Sequence, residues 1–278
     1  MQKPIFTPST TSTLNRSATV KKALKGFYLV VSSIFITLIH LPFSFAKQNS
    51  PNLSKTDAVV ETAAPSPAPA PAPIPLLSRG FFSMKSVYDS LKLDVSGLSR
   101  QAYDYALEGW QKLIEQGKIL NQSVMAIVDF SQPSDHKRLY VLDMENYKVL
   151  FNTLVAHGRN SGKEWASSFS NKASSYKSSP GFYVTGDTYN GDNGYSLKLT
   201  GVEKGINDNA ENRAIVMHGA DYVDESLINS QGYIGRSLGC PAVPRKDAMD
   251  IINTIKSGAC LFIYAPTQQY VSHSVLLH

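Results

Sequence analysis

The sequence predicts a mainly β fold, a β-sandwich or mixed sheet, with an N-terminal helical layer and short flanking helices. Three observations point there. From Ser123 onward, side-chain character alternates with period two in segments rich in Val, Ile, Leu, Phe and Tyr, the signature of pleated strands. Upstream, apolar residues instead recur at three- and four-residue steps. Gly- and Asn-rich connections separate the alternating segments, as turns between strands require. Hydrophobic residues make up 42% of the 278-residue chain, enough to build a sizeable core.

In chain order, residues 1–46 read as an export signal. Lys21, Lys22 and Lys25 precede an uncharged run from Gly26 to Ala46, Pro42 breaks that run, and Ser44-Phe45-Ala46 presents small residues for cleavage before Lys47. An uncleaved N-terminal anchor is the other reading, since the run is long enough to span a bilayer. Both put the remainder outside the cytoplasm, in the periplasm or cell envelope. The leader also accounts for the net charge of +5: it holds Lys3, Arg16 and the three lysines but no acid, and the other 22 basic residues balance 22 acidic ones. The basic pI therefore gives no nucleic-acid reading.

Residues 47–79 form a Pro/Ala-rich linker whose centre, Ala64–Pro75, reads as extended polyproline II acting as a stiff spacer. Residues 80–120 form the helical layer: a short helix around Met84–Leu91, then a longer one capped by Ser99 and running to about Gly117. Ala102, Tyr105, Ala106, Trp110, Leu113 and Ile114 give that longer helix one apolar face. Residues 121–266 are the β domain. It opens with a three-strand antiparallel meander and continues with strands in GFYVTGDTY, YSLKLTGV, RAIVMHG and ACLFIYA. An amphipathic helix over 245–257 precedes the last of these. Residues 267–278, with His273 and His278, are read as a frayed tail.

Two segments carry chemistry. Ala214–Gly219 is an apolar strand ending in His218-Gly219, and 235–241 reads Gly-Arg-Ser-Leu-Gly-Cys-Pro. Cys240 is the candidate nucleophile and His218 its general base, because a thiol attacks as thiolate and a nearby imidazole generates one. The N–H groups of Gly239 and Cys240, with that of Leu238, are expected to face an oxyanion. Ser237 is expected to hold the loop by a hydrogen bond. Cys240 also reads as a buried structural thiol, as a disulfide partner of Cys260, or as a zinc ligand with His218 and Asp221 or Asp224, although the usual ligand spacing is missing.

The pairing of His218-Gly219 with Ser237-x-Gly239-Cys240 resembles the catalytic signature of YkuD-type L,D-transpeptidases, in a divergent branch where His-Gly-Ala-Asp-Tyr at 218–222 accompanies Gly-Cys-Pro. The segment IVDFSQPSDHKRLYVLDMENYKVL at 127–150 resembles that family's opening strands, and Ser179-Pro180-Gly181-Phe182-Tyr183 its segment before the catalytic half. The resemblance covers about 120–266. Leu238 stands where the common motif has His, and Pro241-Ala242 replaces a pair that includes Arg. Arg236 and Arg245 flank the loop and Arg213 precedes the His strand; each is a candidate for the missing Arg and each also reads as an ordinary surface or ion-pair residue.

The resemblance implies a murein L,D-transpeptidase acting on peptidoglycan tetrapeptide stems through a thioester on Cys240, releasing D-alanine and forming 3→3 cross-links, with no metal or organic cofactor. An L,D-carboxypeptidase or amidase-type hydrolase would use the same nucleophile, and a non-catalytic wall-binding protein is the third reading. The implied partners are stem peptides, with no nucleic acid, and a membrane only through an uncleaved leader. Gly219, Arg236, Arg245 and His157 are the substrate-binding candidates; His157 ends a strand as His218 does, as a solvated strand end or a groove-lining residue. The polar loop at 163–177 reads either as a flap over the groove or as disordered.

Overall fold

The computed structural model describes residues 87–278. The leader, the linker and the start of the expected Met84–Leu91 helix lie outside the described residues; 87–90 are helical. The elements that follow are α1 (Arg100–Glu115), β1 (Val124–Asp129), β2 (Leu139–Asp143), β3 (Lys148–Thr153), β4 (Gly181–Gly191) and β5 (Gly194–Gly201). After them come β6 (Val216–Ala220), α2 (Glu225–Gln231), β7 (Ala242–Pro244), α3 (Arg245–Ile255), β8 (Cys260–Tyr264) and α4 (Gln268–His273). The fold is the expected one, mainly β with a helical layer.

All eight strands form one mixed sheet in the order β3-β2-β1-β8-β4-β5-β6-β7. The meander β1–β3 is antiparallel. The last strand, β8, inserts at the centre, parallel to β1 and antiparallel to β4. At the far end β6 and β7 run parallel, with His218 opposite Ala242. The sheet then nearly closes: Ala156, just beyond β3, bridges to Ala242, and its N–H donates to the Ala242 carbonyl at 2.8 Å.

Period two divides the strands between two cores. Val124, Ala126 and Val128 of β1, with Leu261 and Ile263 of β8, meet Ala248, Ile251, Ile252 and Ile255 of α3 on one face. Met125 and Ile127, with Cys260, Phe262 and Tyr264, meet Tyr103, Ala106, Trp110 and Leu113 of α1 on the other. The α1 helix starts where expected, the Ser99 side chain accepting from the Ala102 N–H.

Two expectations change. The tail is not frayed: α4 is capped by Thr267, and Tyr270, Leu276 and Leu277 are buried in the α1-side core. Buried Glu203 accepts from the Phe182 N–H, Tyr270 Oη and Ser274 Oγ, which ties the tail to β4. The strand containing His218 begins at Val216 rather than Arg213, because Ala214 takes a left-handed conformation (φ 53°) that ends a turn. The polar stretch after His218 folds as α2, with its N-terminus capped by Asp224.

Candidate active site

Parallel pairing of β6 with β7 sets the geometry. His218 lies within β6, and Cys240 lies two residues before Ala242, the residue paired with His218. The loop into β7 is held first by the chain beyond β3. The Ser237 N–H donates to the His157 carbonyl (2.9 Å) and the Arg159 N–H to the Ser237 carbonyl (2.8 Å). Within the loop, Ser237 Oγ accepts from the Gly239 N–H (3.0 Å) and donates to the Cys240 carbonyl (2.6 Å). Ser178 Oγ donates to the Gly239 carbonyl at 3.3 Å. Gly239 has φ 128°, and a Cβ there would lie 2.9 Å from the Lys177 carbonyl oxygen, so the position admits only glycine. Ser237 thus holds the loop as expected.

Cys240 is 9% exposed. Its thiol donates to the Ala214 carbonyl at 3.7 Å, and the Val216 N–H approaches the sulfur. Burial pushes the thiol pKa up, while the Val216 N–H and the Arg213 charge oppose that shift. His218 is 4% exposed, and its Nδ1 faces the Gly219 carbonyl at 3.1 Å. A donating Nδ1–H leaves the lone pair on Nε2, the nitrogen suited to act as base. Burial and then the Arg245 charge push its pKa below the ordinary value, against the Gly219 carbonyl. Both shifts favour the uncharged forms of thiol and imidazole. No hydrogen bond joins them among the described residues; the thiol's acceptor is Ala214.

Several expected roles are revised. The Gly239 N–H is committed to Ser237 Oγ and does not face an oxyanion, whereas the Cys240 N–H lies against its own sulfur and is not committed to a carbonyl. Leu238 is 56% exposed, on the outside of the loop, and its N–H, like that of Cys240, donates to no backbone carbonyl among the described residues. Gly219 packs tightly against α3, where a Cβ would lie 2.8 Å from Ala248 Cβ and 3.1 Å from Arg245 Cα. Arg245 is engaged by Asp221 through two hydrogen bonds. Arg236 donates to the Arg159 and Gly162 carbonyls and bears on the Tyr233 ring. His157 is no solvated strand end: it is fully buried, with Arg138 Nη2 2.8 Å from Nδ1.

The alternatives for Cys240 are narrowed by the sheet. Cys240 and Cys260 are both free thiols, and they belong to the cores on opposite faces. Asp221 turns to Arg245 and Asp224 caps α2, so neither is directed to Cys240. The 163–177 segment has no regular secondary structure but packs close to the loop, with Ser167 and Ser168 N–H groups on the Ser161 carbonyl and Lys177 Nζ on Ser168 Oγ (2.7 Å). Arg213, one of the three candidates for the missing Arg, lies near Cys240. Its position just before an apolar strand gave only a weak signal, because the turn that swings it to the loop depends on Ala214.

Residues 94–264 match a family model described as the L,D-transpeptidase catalytic domain. The match starts before α1, earlier than the resemblance in the β region suggested. Among curated proteins nothing matches. Similar solved structures include an L,D-transpeptidase from Mycobacterium smegmatis (13% identity, 51% of this chain and 59% of that one, TM-score 0.32). Another is an L,D-transpeptidase (Yku) from Stackebrandtia nassauensis (14%, 67% and 78%, TM-score 0.32). A third is the helical cell shape determining protein Pgp2 from Campylobacter jejuni (16%, 61% and 61%, TM-score 0.36). The chain spans about three fifths of the length of the first of these.

Proposed function

This chain belongs to the L,D-transpeptidase catalytic-domain family, and from that premise we propose that it is an exported, cysteine-dependent murein L,D-transpeptidase acting on peptidoglycan tetrapeptide stems. The observation that carries the reading is the parallel β6–β7 pairing, which sets a loop-held Cys240 beside the strand that bears His218 with its Nε2 lone pair available.

In this reading Cys240 Sγ attacks the carbonyl carbon of the third stem residue while its proton passes to His218 Nε2. The Cys240 N–H, which donates to no carbonyl, meets the developing oxyanion. The intermediate collapses by breaking the bond to the terminal residue. D-alanine leaves as an amine with the proton from His218, and the acyl group remains as a thioester. An amine on a neighbouring stem then attacks, gives its proton to His218, and the released sulfur recovers it; the product is a 3→3 cross-link. Export rests on residues 1–46.

The test is incubation of the purified protein and its Cys240→Ala variant with tetrapeptide muropeptides under reducing conditions, with products read by mass. Loss of D-alanine with dimer formation, absent in the variant, supports the transpeptidase. Loss of D-alanine without dimers assigns the chain to the hydrolase reading. No turnover by the unsubstituted protein overturns the enzymatic assignment and leaves wall binding.

A further inference from the structure

The Arg213 guanidinium joins three segments at the nucleophile. Nη1 donates to the Ser170 carbonyl (2.8 Å) and to Ser179 Oγ (2.5 Å). Nη2 donates to the Lys177 carbonyl (2.6 Å) and Ser175 Oγ (3.2 Å). On the other side, a Cβ built on Gly239 would lie 3.2 Å from Nη2, so the cation rests against the residue preceding Cys240. All four of its hydrogen-bond acceptors are neutral: two carbonyls and two hydroxyls. None of the ion pairs among the described residues includes it.

A partly buried cation without a carboxylate favours a negative charge forming nearby. Two ionisable groups interact with Arg213, namely Tyr183 and Cys240. The Tyr183 hydroxyl donates to the Ser179 carbonyl (2.9 Å), and full burial drives its pKa up, so it stays neutral. Cys240 is the remaining group able to take the charge. Of the cations near the thiol, Arg213 is the one whose charge bears on it. Burial pushes the His218 pKa down and that of Tyr222 beyond β6 up, while Arg236 turns to the Arg159 and Gly162 carbonyls and Lys177 to Ser168 Oγ.

We infer that Arg213 is a positioning residue with two linked tasks: it stabilises the Cys240 thiolate and clamps the 170–179 segment over the nucleophile loop. The inference rests on Cys240 as the nucleophile and deepens that reading. It assigns to the turn before β6 the positive charge that Pro241-Ala242, after the cysteine, does not carry. The clamp and the charge are one device: opening the segment removes four hydrogen bonds and lets water screen the cation.

The test measures the pH dependence of Cys240 alkylation by iodoacetamide in the full chain, with the adduct mapped by mass to separate it from Cys260. Arg213→Gln should raise the midpoint by about one pH unit or more, which lowers the rate at pH 7 roughly tenfold. An unchanged midpoint in a folded variant overturns the inference. Arg213→Lys, which keeps the charge and loses the fork, guards against misfolding of the first variant. Its midpoint should stay within about half a unit while proteolytic cleavage within 170–179 increases. A full-unit shift in the Lys variant contradicts the assigned charge, and unchanged protection contradicts the clamp. The assay uses no peptidoglycan, so failure of the muropeptide reaction and failure of this inference are separable.

Discussion

Beneath the Cys240 loop, Arg138 and His157 form a buried polar pair that holds the segment to which Ser237 is bonded. Arg138 donates to the Gln132 carbonyl (2.8 Å) and twice to the Val155 carbonyl (3.2 and 3.0 Å), and its guanidinium lies 4.7 Å from the Phe130 ring centre. Burial pulls its pKa down to about 9, which leaves it charged at neutral pH. His157 is fully buried; burial first, and then the Arg138 charge, push its pKa down to about 3. The unfolded imidazole takes a proton near pH 6.5, whereas the folded one does not until about pH 3. Between those values the unfolded state binds more protons, so stability falls as pH falls, by about 1.4 kcal/mol per unit. Denaturant midpoints measured from pH 7 to 4 should drop less steeply in His157→Gln than in the unsubstituted protein. Equal slopes would show that His157 does not carry the acid sensitivity.

Helix α1 owes its docking to a glycine. A Cβ on Gly109 would lie 2.0 Å from Phe182 Cζ, and Phe182 is itself stacked on Phe262 with ring centres 4.2 Å apart. The helix can therefore approach the centre of the sheet, where β4 and β8 pair, only with hydrogen at that position. Alanine has the better helix propensity, by roughly 1 kcal/mol. Overpacking against a stacked aromatic pair costs about 1–3 kcal/mol. Gly109→Ala should therefore destabilise the protein by up to about 2 kcal/mol, read as a lowered urea midpoint at unchanged slope. A raised midpoint would mean that the ring moves aside without cost.

At the scale of the molecule, the chain end completes the core on the α1 face. Tyr270, Leu276 and Leu277 are buried there, Tyr270 and Ser274 satisfy the buried Glu203 carboxylate, and Lys112 Nζ donates to the His278 backbone oxygen at 2.5 Å. Removing residues 267–278 would expose apolar surface worth about 1.5–3 kcal/mol for each large side chain and leave Glu203 with fewer donors. Thermal unfolding of the truncated chain should show a melting temperature lower by about 10 °C or more. An unaltered melting temperature would return the segment to the frayed tail that its sequence suggested.

The sequence by itself determined the period of each long element, the Ser99 cap, the meander and the two segments that bear His218 and Cys240, because these follow from local patterning and side-chain chemistry. It also determined family membership, through the Ser237–Cys240 and His218-Gly219 motifs. Tertiary structure decided the rest. The three-residue strand β7 exists because β6 and Ala156 pair with it, a contact with no local signature. The central place of β8 depends on a pairing between residues far apart in the chain. Gly239 and Cys240 are adjacent in sequence, yet only the folded loop commits one amide to Ser237 and leaves the other without a carbonyl acceptor. Arg213, Arg236 and Arg245 look alike in sequence, and their contacts separate them: two are engaged elsewhere and one lies against Gly239. Local chemistry names the groups able to react, but burial, pairing and charge compensation are properties of the assembled fold, and they assign each group its task.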